Sequence, residues 1–242
     1  MNQQRVPPIA ANPAEKEDRT QQPIDTTQEP AGFAAWRAKL SRMTGLGLTP
    51  QEQATRTAEH ASDVAEAQYR TCERWKHEVM RHSPLVRFLT AHLSRLGCDW
   101  TPANVICQPC DATRSAGFSP NHGVVLCENR IQSKAHLEES LAHELIHALD
   151  HCRAKLDWNN CLHHACSEIR AASLSGDCSP YNEWMRGNRK INRQHQTCVK
   201  RRAILSLKSS PLCSGGTVAE DAVQEVWASC FADTWPFDEI YP

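Results

Sequence analysis

Two histidines and a glutamate near the middle of the chain are spaced to bind a metal ion and to activate water. They form His143-Glu144-x-x-His147, the H-E-x-x-H pattern of zinc-dependent hydrolases. On a helix, side chains four residues apart lie one turn apart on the same side, so the two imidazoles can bind one cation. Glu144 lies beside them and can take a proton from a zinc-bound water. The pattern therefore predicts zinc as the cofactor, His143 and His147 as metal ligands, and Glu144 as the catalytic acid/base.

A third protein ligand is expected, because a catalytic zinc usually has three and keeps one position open. The metzincin pattern is excluded, since Asp150 and Arg153 occupy the positions of its glycine and third histidine. Asp150 is one turn along the same helix, where support behind the ligands suits it better than coordination. Glu168 follows on the next predicted helix and is the predicted third ligand. His164, and after it His163, remain alternatives.

The elements that position these residues follow from apolar spacing and turn residues. Residues 133–152 are predicted to form the metal-binding helix, with one apolar face made of Leu137, Leu141, Ala142, Leu145 and Leu149. A second helix is predicted over residues 161–173, ended by Gly176. Strands are predicted at 105–107 and 124–127. The strand at 124–127, just ahead of the metal-binding helix, is expected to be the edge along which an extended substrate pairs.

The remaining chain is mainly helical in this interpretation. Helices are predicted over residues 33–43, 51–81, 84–96 and 217–232, and the first of these either packs or touches a membrane surface. We expect an α+β, zincin-like metalloprotease fold, with a small β-sheet ahead of the H-E-x-x-H helix. Residues 1–32 are predicted to be a disordered extension, 33–96 a helical segment, and 97–242 the metalloprotease domain.

Composition excludes several classes of function. The chain has 242 residues and a formal net charge of -1, so no overall charge draws it to nucleic acid or anionic lipid. No run approaches 18 consecutive apolar residues, so any membrane association is expected to be peripheral. Basic residues recur between positions 186 and 208. They form either a solvated helix face or a contact for anionic lipid or an acidic partner.

Twelve cysteines, an even number, favour disulfides and an oxidising compartment. Residues 1–32 lack the apolar core of a secretory signal and contain too many acidic residues for a typical mitochondrial presequence. The mitochondrial intermembrane space reconciles these two observations. Cys107-x-x-Cys110 is predicted to serve a disulfide or another structural role. The alternatives are reduced, buried or metal-bound thiols, including a cysteine-rich zinc-binding adaptor.

Longer runs carry a more specific signal than the metal motif alone. Across roughly residues 70–240 the chain resembles the mitochondrial inner-membrane metalloprotease family that assists ATP synthase assembly. The matching runs are His143–Ala148, Cys152–Lys155, Asp157-Trp158, Asn160-Cys161, His163–Ala171, Leu174–Cys178, Cys198–Arg202, Val226-Trp227 and Asp233–Asp238.

This resemblance implies a peripheral protease on the intermembrane-space face of the inner membrane. Its polypeptide substrate would be an ATP synthase membrane-sector subunit, whose presequence it removes and whose assembly it assists. His143 and His147 match the zinc ligands of the family, and Glu144 matches its catalytic residue. The cysteines match a disulfide-stabilised fold. A non-proteolytic assembly chaperone with the same fold is the alternative function.

Overall fold

The computed structural model describes residues 31–98, 100–111, 114–188 and 193–238. The chain divides into two compact units, Met1–Ala58 and Glu59–Pro242. The extension predicted over residues 1–32 lies outside the described residues except at its end, where the first helix begins at Ala31. The predicted boundary between a helical segment, 33–96, and a metalloprotease domain, 97–242, stays a prediction.

The first unit contains helix α1 (Ala31–Thr44) and the start of helix α2 (Pro50–His82). A capping box begins α2: the Thr49 hydroxyl and amide both donate to Glu52 at 2.9 Å, and the Glu52 amide donates back to the hydroxyl at 3.3 Å. The predicted helix over residues 33–43 is confirmed. Its large apolar side chains are solvent exposed, namely Phe33, Trp36, Leu40 and Met43.

A three-stranded sheet lies in the second unit. Its strands are β1 (Val105–Gln108), β2 (Ala116–Ser119) and β3 (Gly123–Cys127), in the order β1-β3-β2. β3 pairs in parallel with β1 and antiparallel with β2. The prediction that residues 124–127 form the edge is therefore wrong, because β3 is the central strand. Gly123 has φ +79°, and a Cβ there would collide with the carbonyl oxygen of Asn104, so glycine is required.

Six further helices complete the described part of this unit. They are α3 (Pro84–Arg95), α4 (Lys134–Arg153), α5 (Cys161–Leu174), α6 (Pro180–Met185), α7 (Gln194–Ser209) and α8 (Val218–Ala232). Every helix predicted from the sequence is present within one or two residues of its expected ends. Helices α6 and α7 and strand β2 were not predicted as separate elements. The α+β class, mainly helical with one small sheet, is confirmed.

Two apolar clusters form the core. The first joins α2, α3, the sheet and α4, and it contains all five residues of the predicted apolar face of α4, each fully buried. The second joins α5, α7 and α8 around Ile169, Val199 and Leu207. Helix α5 contributes to both clusters, because Ala171 lies in the first and Ile169 in the second. Within these two clusters the apolar faces of the helices are buried against other elements, which is the main source of stability for helices of this length.

All twelve cysteines form disulfides, as predicted. Three bonds lie within residues 72–152: Cys72–Cys107, Cys98–Cys152 and Cys110–Cys127. Three lie within residues 161–230: Cys161–Cys213, Cys166–Cys230 and Cys178–Cys198. No bond crosses between these two sets. No cysteine is free, so the alternative of reduced or metal-bound thiols is not supported.

Most of the described basic residues between 186 and 208 pair with side chains of the same unit. Arg201 bonds Glu183, Arg202 bonds Asp177, and the Lys208 ammonium bonds a glutamate on α8. These pairs account for much of the positive charge that the sequence places there. Among the described residues, no helix has the length and hydropathy required to cross a bilayer.

Candidate metal centre

Helices α4 and α5 bring two histidines and a glutamate together. The ligand atoms of His143, His147 and Glu168 all lie within 4.8 Å of one another. His143 Nε2 lies 3.5 Å from Glu168 Oε2, and His147 Nε2 lies 3.5 Å from Glu168 Oε1. Within the described ranges, this is the one group of three or more such residues that could hold a metal ion. The three residues selected from the sequence as ligands are therefore neighbours.

Local sequence explains why both helices present these side chains. The Ser133 hydroxyl caps α4 by accepting the His136 amide, and the Asn160 side chain caps α5 by accepting the Leu162 amide at 2.9 Å. Burial of the apolar face of α4 sets its rotation and leaves His143 only partly covered. Ala171, one turn after Glu168, is fully buried in the same core cluster, so a small side chain lies where α5 meets that core.

A buried serine contacts the rear of the His147 ring. Ser167 Oγ lies 2.7 Å from His147 Nδ1 and donates to Asp150 Oδ2 at 3.0 Å. The hydroxyl has one proton, so when it donates to the carboxylate it must accept from Nδ1–H. That tautomer leaves Nε2 unprotonated, as metal binding requires. Asp150 thus contacts the serine behind the ligands and does not join the metal-binding group.

Asp150 is itself held by a fully buried arginine. Arg170 Nε donates to the two Asp150 carboxylate oxygens at 2.9 and 3.1 Å. The other guanidinium nitrogens donate to the backbone carbonyls of Asp233 and Trp235, and one forms an ion pair with the Asp233 carboxylate at 2.7 Å. Arg153 also pairs with Asp150 and Asp233. The segment after α8 is therefore bonded to the support behind His147.

Glu168 has two further partners and one unpartnered oxygen. Its Oε1 accepts from Ser206 Oγ at 2.6 Å and lies 3.2 Å from His164 Nε2. Its Oε2 is buried and has no hydrogen-bond partner among the described residues. A buried carboxylate oxygen left unpartnered between imidazoles is a place where a cation fits. His164, the alternative ligand, contacts Glu168 and lies outside the group of three.

Burial and mutual charge shift the pKa values of the group. Burial acts to lower the pKa of His143, but its contact with the Glu168 carboxylate and the charge of Glu144 raise it to about 9. Burial lowers the pKa of His147 to about 3. Burial raises the pKa of Glu144 to about 7, with His143 opposing the rise. Burial acts to raise the pKa of Glu168, but electrostatic attraction to His147 and the polar contacts with His143 and His164 hold it well below its usual value.

A cleft of about 580 Å³ opens beside the group. Its wall includes His143, Glu144 and Glu168, and Ala116 of β2 lies along it. The backbone amide of Phe118 in β2 acts on the Glu144 carboxylate and lowers its pKa. Among the described residues β2 pairs with no strand other than β3. The strand beside the cleft is thus β2, whereas the sequence had predicted that residues 124–127 would lie there.

Four residues of this site were not identified from the sequence: Ser167, Ser206, Arg170 and Arg114. Serines are common, and no local pattern marks Ser167 or Ser206 as a hydrogen-bond partner. Arg170 has a usable signal, since a lone charge between Ile169 and Ala171 on an apolar helix predicts a buried ion pair. Arg114 lies in the loop just before β2 and lines the cleft, and its charge lowers the pKa of Glu144.

Comparison with known families places the chain in a wider context. A family model described as the Peptidase M76 family matches residues 70–238, which include every residue of the candidate metal centre. This range agrees with the part of the chain in which the resemblance was recognised. No solved structure was found to match the chain.

Several curated relatives match most of the chain. The mitochondrial inner membrane protease ATP23 of Yarrowia lipolytica is 42% identical over 219 residues, which are 90% of this chain and 87% of that protein. The protein of the same name from Mycosarcoma maydis is 46% identical over 216 residues, 78% of this chain and all of the relative. That of Kluyveromyces lactis is 41% identical over 246 residues, 96% of this chain and all of the relative.

Proposed function

The chain belongs to the Peptidase M76 family and is a metalloprotease, and from this premise we propose that it is a zinc-dependent endopeptidase. In this proposal His143, His147 and Glu168 hold zinc in a zincin-like fold, and Glu144 is the catalytic acid/base. The observation that carries the proposal is the convergence of these three ligand atoms around the unpartnered Glu168 Oε2.

The donor set favours zinc over harder cations. Two imidazole nitrogens and one carboxylate oxygen are the ligands of the His₂Glu class of zinc hydrolases, whereas magnesium and calcium prefer oxygen alone. Zinc bound here would polarise a peptide carbonyl and lower the pKa of a water molecule toward about 7.

Glu144 performs the proton transfers in this proposal. Its carboxylate is buried at the wall of the cleft, on the same helix as both proposed histidine ligands, where a general base is needed. The carboxylate takes a proton from the attacking water and later gives it to the amine nitrogen of the leaving peptide. Ser167 holds the His147 ring in the tautomer that frees Nε2.

The edge of β2 provides a place for an extended substrate. Backbone groups on its unpaired side can bind a polypeptide as an added strand, which holds the peptide bond close to Glu144. Strand addition reads the backbone rather than the side chains, so specificity would come from the cleft walls.

We place the enzyme at the intermembrane-space side of the mitochondrial inner membrane, in peripheral association. The printed names of the relatives support the membrane, and six disulfides support an oxidising compartment. The proposed substrate is an ATP synthase membrane-sector subunit, as the family resemblance implies. A role in assembly without proteolysis can accompany cleavage.

The test is Glu144→Gln, which removes the acid/base and leaves the ligands in place. We expect zinc content to stay the same and cleavage of a fluorogenic peptide library to fall by about 10²–10⁴-fold. Glu138→Gln, on the same helix but bonded to Ser83, is the matched control and should cleave normally. Normal cleavage by Glu144→Gln would refute the assigned role. Rescue of ATP synthase assembly by this variant in a deletion strain would favour the chaperone alternative.

A further inference from the structure

A second cavity, of about 250 Å³, lies between α2 and the turn that follows β3. Most of its exposed lining surface is apolar, and the residues used below are Cys72, Trp75, Glu128 and Ile131. None of these residues lines the cleft beside the metal centre. The cavity is therefore a separate feature that the proposed proteolysis does not use.

Glu128 is the charged residue of this cavity, and one of its carboxylate oxygens has no hydrogen-bond partner among the described residues. The residue is 8% exposed, and its Oε2 is buried without a hydrogen-bond partner among the described residues. Burial raises the pKa of Glu128, and the negative charge of Glu73 raises it further. A buried carboxylate in this situation is costly for the folded protein unless something outside it supplies the missing partner.

The nearby lysine on α2 is committed elsewhere. Lys76, which follows Trp75, donates to Glu73 Oε1 at 2.7 Å and to the carbonyl oxygen of Val105 at 3.1 Å. Its ammonium is mostly buried in that position. The described structure thus leaves Glu128 without a cation of its own.

The walls of the cavity are braced by disulfides. Cys72, in the wall, is bonded to Cys107 of β1, and Cys127, which immediately precedes Glu128, is bonded to Cys110. The Glu128 amide also donates to the Gln108 carbonyl at 3.1 Å. A cavity held in this way is formed before anything enters it, which reduces the ordering cost of binding.

We propose that this cavity binds an arginine side chain of a partner polypeptide, whose guanidinium pairs with Glu128 while its methylene stem lies against Trp75 and Ile131. A guanidinium can bond a carboxylate through two parallel hydrogen bonds and can stack on an indole ring, and the cavity offers both groups. The site takes part in holding a protein partner and not in cutting it.

Size supports a single side chain as the occupant. Pockets that enclose a whole drug-sized ligand usually measure about 300–1,000 Å³, and this one is smaller. Charge supports a cation, because Glu128 and Glu73 are both acidic and Lys76 is already paired.

The experiment uses the full zinc-loaded chain and two probes, N-acetyl-arginine methylamide and its neutral citrulline counterpart. Binding is followed by NMR through the Trp75 indole signal, assigned with Trp75→Phe. We expect saturable binding of the arginine compound and binding about tenfold weaker for citrulline. Glu128→Gln should weaken arginine binding by about tenfold as well. Glu66→Gln, an exposed carboxylate on the same helix paired with Arg70, should bind like wild type.

Peptide cleavage by Glu128→Gln should equal that of wild type, so this result is independent of the proposed protease mechanism. Equal binding of arginine and citrulline would overturn the proposal, as would undiminished binding by Glu128→Gln. The proposal would also be overturned if phosphatidylethanolamine vesicles bound through Glu128 while the arginine compound did not, which would assign the cavity to a lipid headgroup.

Discussion

The Ser167 hydroxyl lies 2.7 Å from Nδ1 of His147, on the side of the ring opposite Nε2, the proposed metal ligand. Its proton goes to Asp150, which is bonded in turn to the buried Arg170. In metal-binding histidines the N–H of the second ring nitrogen usually donates a hydrogen bond to a carboxylate, a carbonyl or a water. Here a serine occupies that place and connects the ring to the carboxylate.

Ser167→Ala should weaken zinc binding, because the His147 ring loses the contact that fixes its tautomer and orientation. We expect a loss of about 10–100-fold in zinc affinity, measured by competition with a chelator. Ser173→Ala is the matched control, since that serine is buried on the same helix and contacts His195 instead. Unchanged zinc affinity in Ser167→Ala would show that the serine does not position the ring.

Glu168→Gln and His164→Gln should separate the third ligand from its alternative. Glu168 lies within the group of three, whereas His164 contacts the glutamate and lies outside that group. We therefore expect Glu168→Gln to lose more than the roughly 100-fold that loss of an outer partner costs, and His164→Gln to lose less. Zinc content after dialysis at a fixed free-zinc level measures both. The reverse order would make His164 the ligand.

Zinc binding at neutral pH should release about one proton. In the metal-free protein the pKa of His143 is about 9, so its ring is protonated at pH 7, whereas the pKa of His147 is about 3 and its ring is neutral. Zinc requires both rings to be unprotonated. The metal-free state thus binds more protons, and zinc affinity should rise with pH until about pH 9 and then level off.

Calorimetry in buffers of different ionisation enthalpy measures this release directly. The observed binding enthalpy, plotted against the ionisation enthalpy of the buffer, has a slope equal to the number of protons released. A slope of zero at pH 7 would contradict the raised pKa of His143. Glu144, with a pKa of about 7, should add a fraction of a proton near neutrality. The Glu144→Gln variant removes that fraction and is the control.

Glu183→Gln should destabilise the fold at neutral pH. The carboxylate is buried, accepts from Arg201 at 2.6 and 3.1 Å, and accepts from Arg186 at 3.2 Å. Burial acts to raise the pKa of Glu183, and the hydrogen bonds from Arg201 and Arg186 lower it. We expect the free energy of unfolding to fall by about 1–3 kcal/mol. Glu66→Gln, at an exposed pair, should change it by less than about 1 kcal/mol.

The sign of the pH dependence follows from that lowered pKa. The stabilisation from Glu183 is complete above its unfolded pKa of about 4.3 and is lost as the pH falls through the lower pKa of the folded state. The difference in denaturation midpoint between wild type and Glu183→Gln, with disulfides intact, should therefore shrink in acid. A difference that grew in acid would mean that the carboxylate is not paired in solution.

Features that depend on helical periodicity could be predicted from the sequence. The four-residue spacing of His143 and His147 and the apolar face of α4 depend on helical periodicity, and both predictions match the structure. Glu168 was selected because it lies on the following helix, and α5 does bring it beside the histidines. In both cases the interacting residues lie on the same helix or on consecutive helices.

Non-local arrangement defeated the strand prediction. Strand β2 consists of Ala116, Gly117, Phe118 and Ser119, with no β-branched residue, so its sequence does not indicate a strand. The edge position was predicted for residues 124–127 because they come just ahead of the metal-binding helix, but β2 pairs on that side and makes β3 central. The support from Ser167 through Arg170 to Asp233 likewise depends on three separate segments meeting.

The two disulfide sets meet at the metal centre without being joined by a covalent cross-link. One set braces the part of the chain with both histidines and the other braces the part with Glu168, so only the backbone over residues 153–160 links them covalently. A bound ion would hold together two parts of the chain that are each cross-linked separately, and the Arg170–Asp150 ion pair would assist it. Chelation should then silence the enzyme reversibly, since each half keeps its own shape and the ion can be reloaded without any reshuffling of sulfur bonds.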